Sequence, residues 1–318
     1  MARIQTVSGD ILPELLGHCQ IHEHIWVEDT PAAQLFPQLC IDLFAESLAE
    51  LKHFHAAGGR SIVDAQPVGA GRNVLRLAEL ATQSQIQIIT VTGFHRPMFY
   101  SESHWIHSIP SEEAAELFAS EIIEGAFIGN ESERPTKRST IKAGLVKAAL
   151  GKDPMDDWTL RLLTAVGQAA VSTGSALMLH TESGQHAVEA IRMLEKLGLP
   201  AMRVIVCHVD RQTENLAPHL NIAKTGAYLD YDTIGRFKYH DDASEVILIQ
   251  QMIAAGHLDQ LMLSLDTTAQ RLAAYGGEIG LDYLFKSFIP QLQQADITSL
   301  ACQKMLIDNP SRILCLVN

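Results

Sequence analysis

No two cysteines in this 318-residue chain are spaced C-x-x-C. The five present (Cys19, Cys40, Cys207, Cys302 and Cys315) are an odd number without the spacing of a disulfide framework. Thiols used in this way fit a reduced, cytoplasmic protein and exclude a small disulfide-stapled scaffold. Long hydrophobic runs are also missing. No stretch approaches the roughly 20 consecutive apolar residues that a membrane span requires, and the opening MARIQTVSGDILP lacks the apolar core of a signal peptide. Positive charge is scarce: 24 Lys and Arg against 37 Asp and Glu leave a net charge of −13, with the cations scattered. The basic stripe of a nucleic-acid binder is therefore absent. The expected partner is a small-molecule substrate, with no nucleic acid and no membrane, and a homodimer is left open.

Apolar material, by contrast, is plentiful: 47% of the residues are hydrophobic and only 19% charged, enough for one large core. Eight short apolar, β-branched runs recur, at residues 19–26, 60–68, 86–94, 140–149, 176–183, 204–210, 227–234 and 261–268. Between them lie segments with helical i, i+3, i+4 periodicity, among them 46–59, 158–174, 185–198 and 245–256, several of which end at glycine. Strand alternating with helix predicts a parallel sheet. Eight such units in a chain of this length predict a (β/α)8 TIM barrel, which needs about 250 residues. A doubly wound open sheet is the alternative, but the glycine-rich dinucleotide fingerprint does not follow the first strand. No linker divides residues 1–318, so a single barrel domain is expected. Residues 95–139, ending in the polar GNESERPTKRST (129–140), are expected as an insertion over one end of it. The segments GEIGLDYLFKSFIPQLQQ and ITSLACQKMLIDNPSRIL read as closing helices.

The stretch IHEHIW (21–26) raises the functional question. In a strand, side chains two apart share a face, so His22 and His24 point the same way. An H-x-H can arise by chance among 14 histidines, so other ligands must be found. In a (β/α)8 barrel the strand C-termini converge on the active face. Polar residues interrupt the apolar strands near those ends: Lys147 in AGLVKAA, His180 in LMLHTE, His208 in VIVCHVD and Asp266 in LMLSLDTT. Each has a plain reading, as a hydrogen-bonded core histidine, a snorkelling lysine or a helix-capping aspartate. Those readings would all have to hold at matching ends of one barrel, and together they become improbable.

The set suits two metal ions. Imidazole and carboxylate ligands fit zinc and related divalent ions. An ammonium group has no lone pair, but a buried lysine can be neutral and take up carbon dioxide as an anionic, bridging carbamate. Two close ions supply a hydroxide near neutral pH. With H-x-H on the first strand, G-x-x-K (Gly144 to Lys147) on the fourth, histidines on the fifth and sixth, aspartate on the eighth and NPSRIL (309–314), the chain resembles the phosphotriesterase family of the amidohydrolase superfamily. The resemblance runs from about residue 18 to 315. It implies His22, His24 and Asp266 on the more buried ion, His180 and His208 on the more exposed one, and carboxylated Lys147 as the bridge. The ions expected are zinc, with manganese, cobalt or iron as alternatives.

Substrate choice must come from the loops after the strands. Three of them carry cations and tyrosines: TGFHRPMFY with Arg96 and Tyr100, DTIGRFKYHDD with Arg236 and Lys238, and DTTAQRLAAYGG with Arg271. Cationic loops in an acidic protein suit an anionic group such as phosphate, although loop charges are commonly only solvated. These loops are similar to those of family members that hydrolyse phosphorylated sugar lactones, except that Arg271 lies five residues after Asp266, where those relatives have an arginine close behind the aspartate. The expected activity is a binuclear metal-dependent lactonase in which Asp266 moves the proton. The alternatives are phosphotriester or other ester hydrolysis at the same site, or a metal-free binding barrel.

Overall fold

The computed structural model describes residues 2–129 and 133–317. Residues 130–132 of the polar 129–140 stretch thus lie outside the described residues. The chain opens with an antiparallel pair, β1 (Ile4–Thr6) and β2 (Gly9–Ile11). Eight parallel strands follow: β3 (Cys19–Glu23), β4 (Ser61–Asp64), β5 (Gln87–Gly93), β6 (Leu145–Ala149), β7 (Leu177–His180), β8 (Val204–Cys207), β9 (Tyr228–Tyr231) and β10 (Leu261–Leu263). They pair in sequence order, β3 to β10, each falling inside one of the eight predicted runs. The ring closes between its first and last strands, where the Asp266 N–H donates to the His22 carbonyl at 3.1 Å. The buried Glu23 carboxylate reinforces this seam by accepting from Leu265 N (2.7 Å), Thr267 N (3.1 Å) and Thr267 Oγ1 (2.7 Å). The fold is a (β/α)8 barrel.

The period-2 alternation of strands divides the core into two layers. Leu145, Met178, Ile205 and Met262 fill the barrel interior together with Ile21 and Val63. Val146, Leu179, Val206 and Leu263 face outward and pack under the helices. By the same alternation, Lys147 shares the inward face of Leu145 and His180 that of Met178. The helices cover the outer layer, as with Phe44–Ala57 and Asp157–Thr173, which end at Gly58 and Gly174. No helix among the described residues is long and apolar enough to cross a membrane.

The structure adds detail to two expectations. Residues 95–139 are only partly an excursion: they contain the helix Ser111–Ile123, whose buried Ala114, Leu117 and Phe118 belong to the same core as the helix Asp157–Thr173. Its acidic first turn, with Glu112 and Glu113, favours a start there. The closing segments are interrupted helices. A π-helical turn occupies Leu284–Phe288 and another Lys304–Asp308, each running into a helix with proline at its start. Proline has no N–H for the ladder and its ring crowds the preceding turn, so the helix widens there. Within NPSRIL, Asn309 Nδ2 donates to the carbonyls of Leu258 (3.0 Å) and Leu261 (2.8 Å), which ties the last helix to the start of β10.

Candidate metal centre and substrate pocket

The first histidine reaches the barrel mouth by a route that alternation alone does not give. Cys19 and Ile21 lie in the interior layer, so regular alternation would send His22 outward. Between Gln20 and Glu23 the register against β4 shifts: Gln20 pairs with Ile62 and Glu23 with Asp64, so two residues, Ile21 and His22, stand opposite one, Val63. A bulge of this kind re-aims a side chain, and it brings His22 inward beside Ile21. His24 stands just past the strand, where Asp64 anchors the turn by accepting from Ile25 N (2.8 Å) and Trp26 N (3.2 Å). The two imidazoles therefore converge through a bulge and a turn, with their ring centroids 5.6 Å apart.

Asp266 completes that group. One ligand atom each from His22, His24 and Asp266 lies within 4.8 Å of the others. Asp266 Oδ1 is 3.5 Å from His24 Nε2 and 3.8 Å from His22 Nε2. On the neighbouring strands, His180 Nδ1 and His208 Nε2 stand 2.7 Å apart. Lys147 is fully buried, and its Nζ donates to the Ala65 carbonyl at 2.7 Å. Its charge acts on His22, His24 and His180. Burial pushes the Lys147 amine down to about 8. The six expected ligands thus share one end of the barrel, and two of them, His208 (φ 65°) and Asp266 (φ 47°), hold left-handed backbone. Non-glycine residues in that region cost energy and gather at functional sites.

A residue overlooked in the sequence organises the group. Asp232, just past β9, accepts from His22 Nδ1 at 3.0 Å and from His208 Nδ1 at 2.6 Å. Burial raises its carboxyl, but His208 and His22 outweigh burial and hold it well below the usual carboxylate range. With both Nδ1 protons committed to Asp232, the Nε2 lone pairs of His22 and His208 face inward, the orientation a carboxylate imposes on metal-binding histidines. Burial also lowers the pKa of all four imidazoles, His22 to about 4, which keeps them neutral and able to donate. His22 Nε2, His24 Nδ1 and His180 Nε2 are buried without a hydrogen-bond partner. Buried polar atoms are rarely left so, and the orphaned nitrogens fit a site for divalent cations.

Above this group lies a cavity of about 530 Å³. Arg96, Arg236 and Lys238 line it as expected, and Lys152 and Arg211 join them. Glu182 takes Arg96 Nη1 at 2.8 Å and Arg211 Nη1 at 2.7 Å on its two oxygens. Arg211 also lies over the Tyr239 ring, 5.3 Å from its centroid, beside the Lys238 amine at 4.7 Å. Arg236 Nη1 bonds Asp266 Oδ2 closely. Burial pushes the Asp266 carboxyl up, but Arg236 and His208 overcome it and hold Asp266 well below the usual carboxylate range.

Two expected substrate contacts are corrected. Arg271 does not line the cavity: its guanidinium donates to the backbone carbonyls of Leu265, Asp266 and Ile234 and so supports the strand end from beneath. Tyr100 is buried, with its hydroxyl accepting from His95 N at 2.8 Å. Arg211 and Asp232 went unnoticed although both carried a signal. One lies three residues after His208, and the other is a polar residue closing an apolar strand.

A family model for the phosphotriesterase family matches residues 2–314. The chain is 31% identical over 320 residues to the phospho-furanose lactonase of Mycoplasmopsis synoviae (strain 53), covering 98% of this chain and 91% of that protein. Among solved structures, an amidohydrolase from Mycoplasma synoviae matches with a TM-score of 0.95 at 30% identity, over 100% of this chain and 93% of that one. A lactonase from Listeria monocytogenes matches with a TM-score of 0.90 at 27% identity, over 99% and 100% respectively. By its full-length family match and its barrel, the chain belongs to the phosphotriesterase family of the amidohydrolase superfamily.

Proposed function

We propose that this family hydrolase opens the ring of a sugar lactone that carries a phosphate group. The observation that carries the reading is the charge of the cavity: Arg96, Lys152, Arg211, Arg236 and Lys238 line it against only two carboxylates, Glu182 and Asp266, in a chain of net charge −13. The lactonase names of the relatives point the same way. His22, His24 and Asp266 would hold one divalent ion and His180 and His208 a second, with Lys147 between them as a carbamate. Zinc is the first choice for such donors, and manganese, cobalt and iron are the alternatives. Bound there, the two ions would supply hydroxide near neutral pH and polarise an ester carbonyl.

The chain's own residues account for the rest. Asp232 keeps His22 and His208 in the tautomer that donates from Nε2. Oδ1 of Asp266 faces the two histidines, which leaves Oδ2 to accept the proton of the attacking water and deliver it to the ring oxygen as the C–O bond breaks. Arg236 occupies that oxygen in the free protein, and an incoming phosphate competes for its guanidinium, freeing Oδ2 when substrate is present. Lys238 and Arg96, at the rim, hold the phosphate and so position the ester.

Lys238→Ala is the discriminating variant, because Arg236 also touches Asp266 and its loss would slow any substrate. We expect Lys238→Ala to lower kcat/KM for a phosphorylated lactone roughly tenfold or more and to spare a neutral lactone of the same ring size. Equal losses on both substrates would remove the phosphate from the assignment. Phosphotriester hydrolysis is the second reading, favoured by the apolar wall of Phe36, Leu39, Met98 and Phe99 across the cavity.

A further inference from the structure

Behind the loop that carries Arg236 and Lys238 lies a second cluster of potential ligands, separate from the barrel-mouth group. We propose that Asp210, His240 and Glu245 form a divalent-cation site that pins this loop to the barrel. One ligand atom from each lies within 4.8 Å of the others. Asp210 follows β8, His240 ends the loop after β9, and Glu245 sits in the first turn of the helix Asp242–Ala254. Asp210 and Glu245 are completely buried, and the His240 side chain is 8% exposed, which leaves an entry path at the histidine.

The proton inventory of the cluster argues for a cation. His240 Nδ1 lies 3.1 Å from the Asp241 carbonyl, so in the neutral ring that nitrogen carries the hydrogen and Nε2 a lone pair. Nε2 faces Thr233 Oγ1 at 3.1 Å and Glu245 Oε2 at 3.2 Å. Thr233 has one hydroxyl proton, and Asp210 Oδ2 takes it at 2.6 Å while also accepting Thr233 N at 2.6 Å. With Glu245 ionised, only lone pairs are left facing one another, and a cation would satisfy them. Neither Glu245 oxygen has a hydrogen-bond partner, nor does Asp210 Oδ1; the approach of His240 to Glu245 is close without being a hydrogen bond.

Charge leads to the same conclusion. Burial first, and then Asp210, Asp232 and Asp242, drive the Glu245 carboxyl well above its ordinary range, so that without an ion it holds a proton. A divalent ion bound there would displace that proton and offset both carboxylates. Two carboxylates and an imidazole are a ligand set for zinc or manganese, with a fourth position left for water. An ion there would join β8, the loop 233–240 and the following helix, and so order the segment that presents Arg236, Lys238 and Tyr239 to the cavity.

The test counts ions on the full-length chain. Protein stripped with chelator is reconstituted with zinc, freed of loosely held metal by gel filtration and analysed for zinc per chain. Glu245→Gln and His240→Gln should each bind one equivalent fewer than the parent, a difference that does not depend on how many ions the barrel mouth holds. In the parent, zinc should also slow tryptic cleavage after Lys238, and in Glu245→Gln it should not. His240→Gln, at the solvent side, serves if Glu245→Gln fails to fold. Equal zinc content in the parent and the folded variants would overturn the proposal.

Discussion

At the scale of the residue, the centre depends on two side chains that no single hydrogen bond explains. Lys147 is a fully buried amine that donates to a backbone carbonyl. As a bridging carbamate it would be indispensable. Lys147→Ala should retain less than half of the parent's barrel-mouth metal and almost none of its turnover, by metal analysis and lactone assay of the same preparation. Full metal and near-parental activity in that variant would refute a binuclear, carbamate-bridged centre. Asp232 acts at one remove, through the Nδ1 atoms of two histidines. Losing such a partner costs about 10–100-fold in metal affinity, so Asp232→Asn should show that loss in a competitive chelator titration while its circular dichroism stays parental. Lys147 and the four histidines were legible because each breaks an apolar strand. Asp232 breaks its strand in the same way, but Asp230 two residues earlier blurs the interruption.

At the scale of the element, the strands were readable and the loops were not. A strand has a fixed period, so an apolar run with one polar intruder gives both the element and the direction of the intruder. Even that reading missed the bulge in β3, which the spacing of His22 and His24 does not reveal. Loops have no period. Arg271 and Arg96 look alike in sequence, yet one meets three carbonyls beneath the strand end and the other lines the cavity. The junction of β5 and β6 offers a test at this scale. Gly93 has φ 104°, and a Cβ there would stand 2.0 Å from the Lys147 carbonyl oxygen, a backbone atom that cannot step aside. Overpacking costs about 1–3 kcal/mol and left-handed strain roughly 1–2 more. Gly93→Ala should therefore lose about 2–5 kcal/mol in urea unfolding of the chelated protein. Unfolding at the parental midpoint would show that the two strands can part without cost.

At the scale of the molecule, the barrel is held shut by one seam, and the seam depends on Glu23. Its carboxylate serves three donors on the far side of the closure. Removing it orphans buried N–H groups, each at roughly 1–3 kcal/mol. Glu23→Ala should destabilise the chelated protein by at least about 2 kcal/mol, measured without metal so that ligand loss does not enter. A change smaller than this would mean that water or a neighbour replaces the carboxylate. The overall architecture was legible because eight repeated units are a whole-chain pattern. The pocket was less so, because its five cations come from four separate loops whose paths are set only once the barrel has closed.

The same seam governs when the protein can acquire its chemistry. Glu23 and Leu265 are 242 positions apart, and Asp266 reaches the His22 carbonyl across a similar span. Contacts of such separation carry the largest loop-closure entropy and form late. During synthesis the chain can lay down strand after strand, but His22 and His24 must wait for Asp266 to leave the ribosome before their three-residue set exists. A truncated nascent chain presents those histidines without their carboxylate. An ion held by these three residues could thus be taken up only once most of the chain has been made, and a product stalled before Asp266 would lack the carboxylate of the set.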